Sequence, residues 1–138
     1  MTKVTKVKTG SKYEEIGSYS RIVAVGDFIF VSNTAGRNPE TQEIPADALG
    51  QTDQVFANIE AALCAVGASL ADVVSSKVFI ANPDDTMAIM TRVGEKFRGI
   101  DPASTVTCPP LGGKAYKVEI EVTAYRGASS MPTQLIEL

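Results

Sequence analysis

The chain has 138 residues, of which 44% are hydrophobic and 21% are charged, proportions that are typical of one globular domain with a substantial core. Its 13 basic and 16 acidic side chains leave a net charge of −3, which argues against a nucleic-acid partner bound through its phosphates. Because the sequence contains no histidine, it cannot carry a histidine-dependent catalytic triad or a histidine-containing zinc site.

The first predicted elements are strands. Lys3, Lys6 and Lys8 surround Val4 and Val7, which predicts a short edge strand protected by its charges. Two β-rich runs follow, Arg21–Val25 and Phe28–Ser32, and Gly26-Asp27 between them predicts a two-residue hairpin turn. Both faces of this hairpin are apolar, so both must be covered in the folded protein.

Helices and strands then alternate along the chain. The predicted segments are a loop over 33–49, a helix over 51–66 ending near Gly67, a strand over 72–81, a helix from 82 to about 97, and strands over 104–108 and 117–125. Two amphipathic helices can cover only one face of such a sheet, which predicts an α+β domain with a mostly antiparallel sheet. We expect the second face to be apolar in the hairpin and at Val118, Ile120 and Val122 or their neighbours, and to be buried against other subunits.

The last strand also places two carboxylates together. Glu119 and Glu121 alternate with valine and isoleucine, so both point to one face of the strand. One interpretation is an ordinary half-buried strand with a solvated acidic face. The other is that Glu119 points into a site whose second wall is the Pro102–Val106 run.

The motifs that the sequence lacks limit the kinds of active site that it can form. The sequence has neither a GxxxxGK[ST] nor a GxGxxG phosphate-binding motif, so proton transfer in any active site depends on carboxylate, tyrosine, lysine, cysteine or water. Cys64 and Cys108 are isolated and lack metal-type spacing. With no apolar N-terminal run and no stretch of 18 apolar residues, we expect a cytoplasmic protein with reduced thiols and no membrane partner.

Several segments, in unbroken order over about 16–126, resemble the RidA/YjgF family of reactive-imine deaminases. They are Tyr19-Ser20, Val31-Ser32, the Asn-Pro-Glu-Thr run at 38–41, Gln54 in the first predicted helix, the VGASLADVV block at 66–74, KVFI at 77–80, PASTV at 102–106 and VEIE at 118–121. The resemblance implies a chorismate-mutase-like α+β fold that forms a homotrimer with pockets between subunits. It also implies hydrolysis of 2-imino or 2-enamino acids such as 2-aminoacrylate to a keto acid and ammonia, without a metal or organic cofactor. The domain is expected over 1–126, followed by a C-terminal tail over 127–138.

The family's site residues match this sequence in part. The resemblance implies that Glu119 holds the attacking water and that Thr105 presents backbone groups to the substrate. It further implies that Tyr19 and Ser32 contribute to substrate binding. From the residues alone, Tyr19 is equally well explained as a buried aromatic with a satisfied hydroxyl, and strand-end capping explains Ser32 better than a role in a site.

The sequence departs from the family at its signature arginine, the residue that binds the substrate carboxylate. Pro102-Ala103 runs directly into Ser104, and counting back from Val106 and Leu111 places Ala103 where the arginine would be. The Gly-Gln-x-Pro after the family's serine is likewise replaced, here by the sequence at 33–36. Arg21 is a candidate substitute cation, although a role as a surface arginine or in an interface ion pair explains it better. We therefore expect weak or no activity on 2-aminoacrylate and similar imino acids.

Three functions remain open at this point. The first is an imine or enamine hydrolase whose substrate preference is altered by the missing arginine. The second is a non-catalytic trimer that binds a small metabolite. The third, the ribonuclease role attached to some family members, is disfavoured by the acidic charge balance and the absence of histidine.

Overall fold

The computed structural model describes residues 3–138. Its helices are α1 (Lys12–Gly17), α2 (Ala48–Cys64) and α3 (Thr86–Lys96). Its strands are β1 (Val4–Val7), β2 (Ile22–Val25), β3 (Phe28–Ala35), β4 (Val73–Ile80), β5 (Ala103–Thr107) and β6 (Val118–Tyr125). No helix within residues 3–138 is long and apolar enough to cross a membrane.

The strands form one six-stranded sheet in the order β1-β2-β3-β6-β4-β5. β4 and β5 run parallel, and the other neighbouring pairs are antiparallel. The parallel pair needs a crossover connection, which contains α3. This arrangement confirms the predicted α+β fold with a single, mainly antiparallel sheet.

The hydrophobic core lies between one face of this sheet and the two longer helices. α2 packs on β3 and β6, and α3 packs beside α2. Phe56 of α2 meets Phe97 edge-on, with ring centroids 5.1 Å apart. Ile29 of β3 and Ile120 of β6 are fully buried beneath these helices. Such burial of large apolar side chains is the main source of stability in the fold.

The opposite face of the sheet is left open by the helices. It carries exposed apolar side chains at Val25, Phe28 and Phe30, which are 42%, 52% and 48% exposed. The expectation that Val118, Ile120 and Val122 extend this open face is wrong, because all three point into the core. The intervening residues of β6 face the open side instead, and they are polar except at the aromatic end of the strand.

The sequence pattern does not predict α1, a single short helix whose ends are set by side-chain and backbone detail. The Ser11 side chain accepts a hydrogen bond from the backbone N–H of Tyr13 and caps its start. Ser18, in a left-handed conformation with φ of 54°, ends it. Glu14 is buried and accepts a hydrogen bond from the backbone N–H of Thr9 at 3.0 Å.

The predicted loop over 33–49 is shorter in the structure. β3 continues to Ala35, and α2 begins at Ala48 because Asp47 caps it, accepting a hydrogen bond from the Gly50 N–H at 2.8 Å. At its far end α2 stops at Cys64, and Gly67 has the left-handed φ of 73° expected of a residue that terminates a helix.

Gln51 of α2 determines where β6 begins. Its side-chain Nε2 donates to the carbonyl oxygens of Pro45 and Ala115, and its Oε1 accepts from the N–H of Lys117, each at 2.8 Å. A Cβ atom on Gly36 would lie 2.6 Å from the Gln51 carbonyl oxygen, so only glycine fits there without displacement. These contacts hold the chain in place just before Glu119.

The tail over 127–138 starts with a 3₁₀ turn at Ala128–Ser130. The Ser129 N–H donates to the buried carboxylate of Asp72 at 2.9 Å, which attaches this turn to the start of β4. Beyond the turn the side chains are exposed, including those of Leu135 and Ile136.

Candidate functional site

A β-bulge in β3 shapes the candidate site. Val31 pairs with Val122 and Thr34 pairs with Ile120, so this interval of the ladder holds one more residue on β3 than on β6. The extra residue returns Thr34 to the buried face and leaves Asn33 exposed. Bulges often redirect a side chain next to a functional site, and this one directs Asn33 toward β6.

Glu119 lies beside the bulge on the open face of the sheet. Its Oε2 accepts a hydrogen bond from Nδ2 of Asn33 at 2.8 Å. Burial raises the pKa of the Glu119 carboxyl, and the hydrogen bond from Asn33 opposes part of that increase. A half-buried carboxylate with increased proton affinity is suited to remove a proton from a bound water.

Arg21 approaches the same bulge from the start of β2. Its Nη1 donates to the carbonyl oxygens of Ser32 at 3.2 Å and Asn33 at 3.0 Å, and to Oγ1 of Thr34 at 3.1 Å. Its guanidinium carbon lies 5.9 Å from the centroid of the Tyr19 ring, within the range of a cation–π contact. The hydrogen bonds of Arg21 Nη1 therefore stabilise the backbone of the bulge.

Tyr19 and Ser32 are both half-buried next to this arginine. The Ser32 hydroxyl donates to the carbonyl oxygen of Ser20 at 2.6 Å, so its hydrogen is used within the fold and its oxygen remains an acceptor. The structure thus brings Tyr19, Arg21, Ser32 and Glu119 into one cluster around the bulge.

Thr105 lies apart from this cluster. It is exposed on β5 opposite Lys77 of β4, and Lys77 in turn pairs with Glu121 of β6. Adjacent strands are about 4.8 Å apart, so β4 keeps Thr105 about 10 Å or more from Glu119 in one protomer. Ala103, the first residue of β5, is also exposed. Thr105 and Glu119 are therefore not neighbours within one protomer.

Two depressions on the surface contain none of these residues. One depression lies beside α3 near Met87 and Arg92, and another lies in the loop after β3 near Asn38 and Gln54. Within residues 3–138, no three carboxylate or cysteine side chains are grouped closely enough to hold a metal ion. Four of the five predicted site residues, Tyr19, Arg21, Ser32 and Glu119, therefore lie around the bulge, and Thr105 does not.

Asn33 is the site residue that sequence reasoning missed. The sequence marked position 33 only as a departure from the family's Gly-Gln-x-Pro, not as a partner of Glu119. A signal was present, because three consecutive polar residues, Ser32, Asn33 and Thr34, follow the continuous apolar run at 28–31 and mark a change in the environment of the strand. Its hydrogen-bond partner, 86 residues away, could not be read from the pattern.

The raised pKa of Glu119 predicts a pH-dependent stability. The folded chain retains the carboxyl proton at a pH at which the unfolded chain has lost it, so stability falls as the pH rises from the ordinary glutamate range through the raised pKa. Glu119→Gln removes this ionisation. We therefore expect Glu119→Gln to increase stability relative to wild type more at about pH 7 than at about pH 4, measured as a larger free energy of unfolding.

Urea denaturation at the two pH values measures this difference. Glu121→Gln, which removes the same charge from the same face of β6 but not a hydrogen bond to Asn33, is the matched control. A Glu119→Gln advantage that stays constant or shrinks as the pH rises would contradict the prediction.

Comparison with known proteins agrees with this architecture. The family described as Endoribonuclease L-PSP matches residues 9–126. A 2-iminobutanoate/2-iminopropanoate deaminase from Dermatophagoides farinae is 37% identical over 110 residues, which cover 78% of this chain and 85% of the relative.

Solved structures show the same fold. Rv2704 from Mycobacterium tuberculosis, a member of the YjgF/YER057c/UK114 family, is similar with a TM-score of 0.81 at 30% identity, covering 89% of this chain and 99% of that chain. Escherichia coli TdcF with bound serine has a TM-score of 0.74 at 30% identity, covering 78% and 87% of the two chains. The chain therefore belongs to the Endoribonuclease L-PSP family, which is the RidA/YjgF family indicated by its sequence motifs.

Proposed function

We propose that this protein is a cytoplasmic hydrolase of reactive imines or enamines, with a substrate preference altered by the loss of the carboxylate-binding arginine. The observation that carries the proposal is the Glu119 carboxylate, half-buried at the bulge and held at one oxygen by Asn33. The names of the deaminase from Dermatophagoides farinae and of the reactive intermediate deaminase TdcF support the class of reaction.

The chemistry requires little beyond a held water. Glu119 takes a proton from water as the water oxygen bonds to the imine carbon, and it gives that proton to the imine nitrogen, so that a carbinolamine forms. Glu119 then takes the proton of the carbinolamine hydroxyl and passes it to nitrogen as the C–N bond breaks, and ammonia and a carbonyl compound leave. Tyr19, Ser32 and Arg21 form the substrate-binding wall in this proposal, and Thr105 completes it. No metal or organic cofactor takes part.

The site is proposed to be complete only in a homotrimer. Thr105 and Glu119 are far apart in one protomer, which favours a site shared between copies. The exposed Phe28 and Phe30 on the open face favour burial of this face against other copies. Sedimentation velocity at micromolar concentration should give a trimer. A monomer would contradict both the assembly and the shared pocket.

The hydrolase proposal is tested with two imines that differ in a carboxylate. An amine oxidase acting on a primary amine releases an imine without a carboxylate, and an amino-acid oxidase releases a 2-imino acid. We expect the protein to accelerate carbonyl release from the first more than from the second, because no arginine on β5 binds the acid. Acceleration of neither imine would contradict the proposal.

A non-catalytic metabolite-binding trimer is the second candidate, and the missing arginine is the observation that favours it. A binder should show saturable calorimetric binding of a small imine analogue without accelerating hydrolysis of any imine in the panel. Turnover of a carboxylate-free imine would exclude this alternative.

A further inference from the structure

Asn33 links two charged groups of the candidate site. Its backbone carbonyl accepts a hydrogen bond from Nη1 of Arg21 at 3.0 Å, and its side-chain Nδ2 donates to Oε2 of Glu119 at 2.8 Å. Arg21 therefore fixes the backbone of the bulge, and the bulge fixes the direction of the amide. The result is a continuous chain of contacts from a guanidinium to a carboxylate.

In this contact the Asn33 amide nitrogen is always the donor and the Glu119 carboxylate is always the acceptor. Nδ2 of Asn33 can only donate a hydrogen bond, and the amide does not titrate. It therefore favours, at every pH, a form of Glu119 in which Oε2 accepts that hydrogen bond. An ionised carboxylate accepts at both oxygens, whereas a protonated one has lost part of that capacity. With Oε2 occupied, Oε1 of Glu119 is the oxygen left to bind and deprotonate a water.

We infer that Asn33 is a positioning residue for Glu119, an inference that rests on the proposed hydrolase function. In this role Asn33 orients one carboxylate oxygen of Glu119 toward the attacking water and favours the ionised carboxylate that acts as the base. This role is distinct from substrate contact. The role also gives a purpose to the hydrogen bonds from Nη1 of Arg21 to the backbone of β3, because these bonds stabilise the bulge that presents Asn33.

The other charges near Glu119 do not supply the same contact. The cross-strand neighbours of Glu119 are Ala35 and Phe79, which do not titrate. The charged residues around it are Lys117 just before β6, Glu121 on β6, Lys77 of β4 opposite Glu121, Arg37 just beyond β3, and Arg21 at the bulge. Within residues 3–138, none of these forms an ion pair with the Glu119 carboxylate.

The decisive experiment follows the Glu119 titration by NMR with carboxyl-labelled glutamate, assigned through Glu119→Gln. Asn33→Ala removes the donor, and we expect the proton affinity of Glu119 to rise about tenfold, the size of one lost charge-assisted hydrogen bond. Asn33→Asp keeps the shape but replaces the donor with a carboxylate, so the rise should be larger still. The Glu121 signal in the same spectra is the internal control.

An unchanged Glu119 titration in Asn33→Ala overturns the inference, whatever Asn33→Asp does. Asn33→Gly makes the same truncation and decides the question if the alanine variant does not fold. The titration does not depend on turnover, so its failure is distinguishable from failure of the proposed function. With an active substrate, the acid limb of the kcat profile should also move to higher pH in Asn33→Ala, with KM little changed.

Discussion

Glu119→Gln should reduce the rate of imine hydrolysis by about 10²- to 10⁴-fold, the usual contribution of a positioned general base. Glutamine keeps the shape of the side chain and can still accept from Asn33, but it cannot take a proton from water. Because the substitution is nearly isosteric and the position is half-buried, the fold should be retained. The measurement is the initial rate of carbonyl release from a carboxylate-free imine at saturating substrate.

Glu121→Gln is the matched control for this experiment. Glu121 lies two residues along β6 on the same open face, opposite Lys77. Removal of its charge should change the rate much less than removal of the Glu119 charge. Equal losses in the two variants would show that the reaction responds to the negative charge of the strand face and not to a base at Glu119.

Restoring an arginine on β5 should produce the other large effect. A bidentate guanidinium–carboxylate contact is worth roughly 1.5–3 kcal/mol, which corresponds to about 10- to 100-fold in kcat/KM for a 2-imino acid. Ala103→Arg keeps the register between β4 and β5, in which Ala103 pairs with Ser75. Insertion of an arginine between Ala103 and Ser104 tests the same gain with the spacing changed. A carboxylate-free imine should gain nothing from either change.

Ala103→Gln controls for the added length without the charge. If neither arginine variant gains imino-acid activity although the wild type hydrolyses a carboxylate-free imine, then β5 is not where the substrate carboxylate binds. If no variant hydrolyses any imine, the metabolite-binding alternative is supported.

Arg21 provides the competing explanation for the same assay. If the wild type already hydrolyses 2-imino acids as fast as the deaminase from Dermatophagoides farinae, the expectation of weak activity is wrong. Loss of that activity in Arg21→Ala would then identify Arg21 as a substitute for the missing arginine. Its Nη1 is bound to β3, so such a role would have to use its other nitrogen atoms.

Much of the fold follows from local patterns. Alternation in β6 indicated a half-buried strand with Glu119 and Glu121 on one face, and Gly26-Asp27 indicated the turn between β2 and β3. The apolar spacing in α2 indicated a helix whose end is set near Gly67. These features depend on residues within a few positions of one another, so one sequence is sufficient to predict them.

Other features depend on contacts between distant segments. Which face of β6 the helices cover was settled by packing, because Val118 and Ile120 are apolar enough for either side of a sheet. The sequence pattern did not predict α1, because its ends depend on a serine cap and on a serine in the left-handed conformation. Neither feature produces a distinctive sequence pattern.

For the site, the sequence by itself supplied the carboxylate, the missing arginine and the group of residues that resemble the family's. The tertiary structure alone showed that a bulge brings Asn33 to Glu119, that Nη1 of Arg21 binds the backbone of that bulge, and that β4 separates Glu119 from Thr105. The physical reason is that strand pairing and register place residues far apart in the chain side by side, and a one-residue bulge changes which side chains meet.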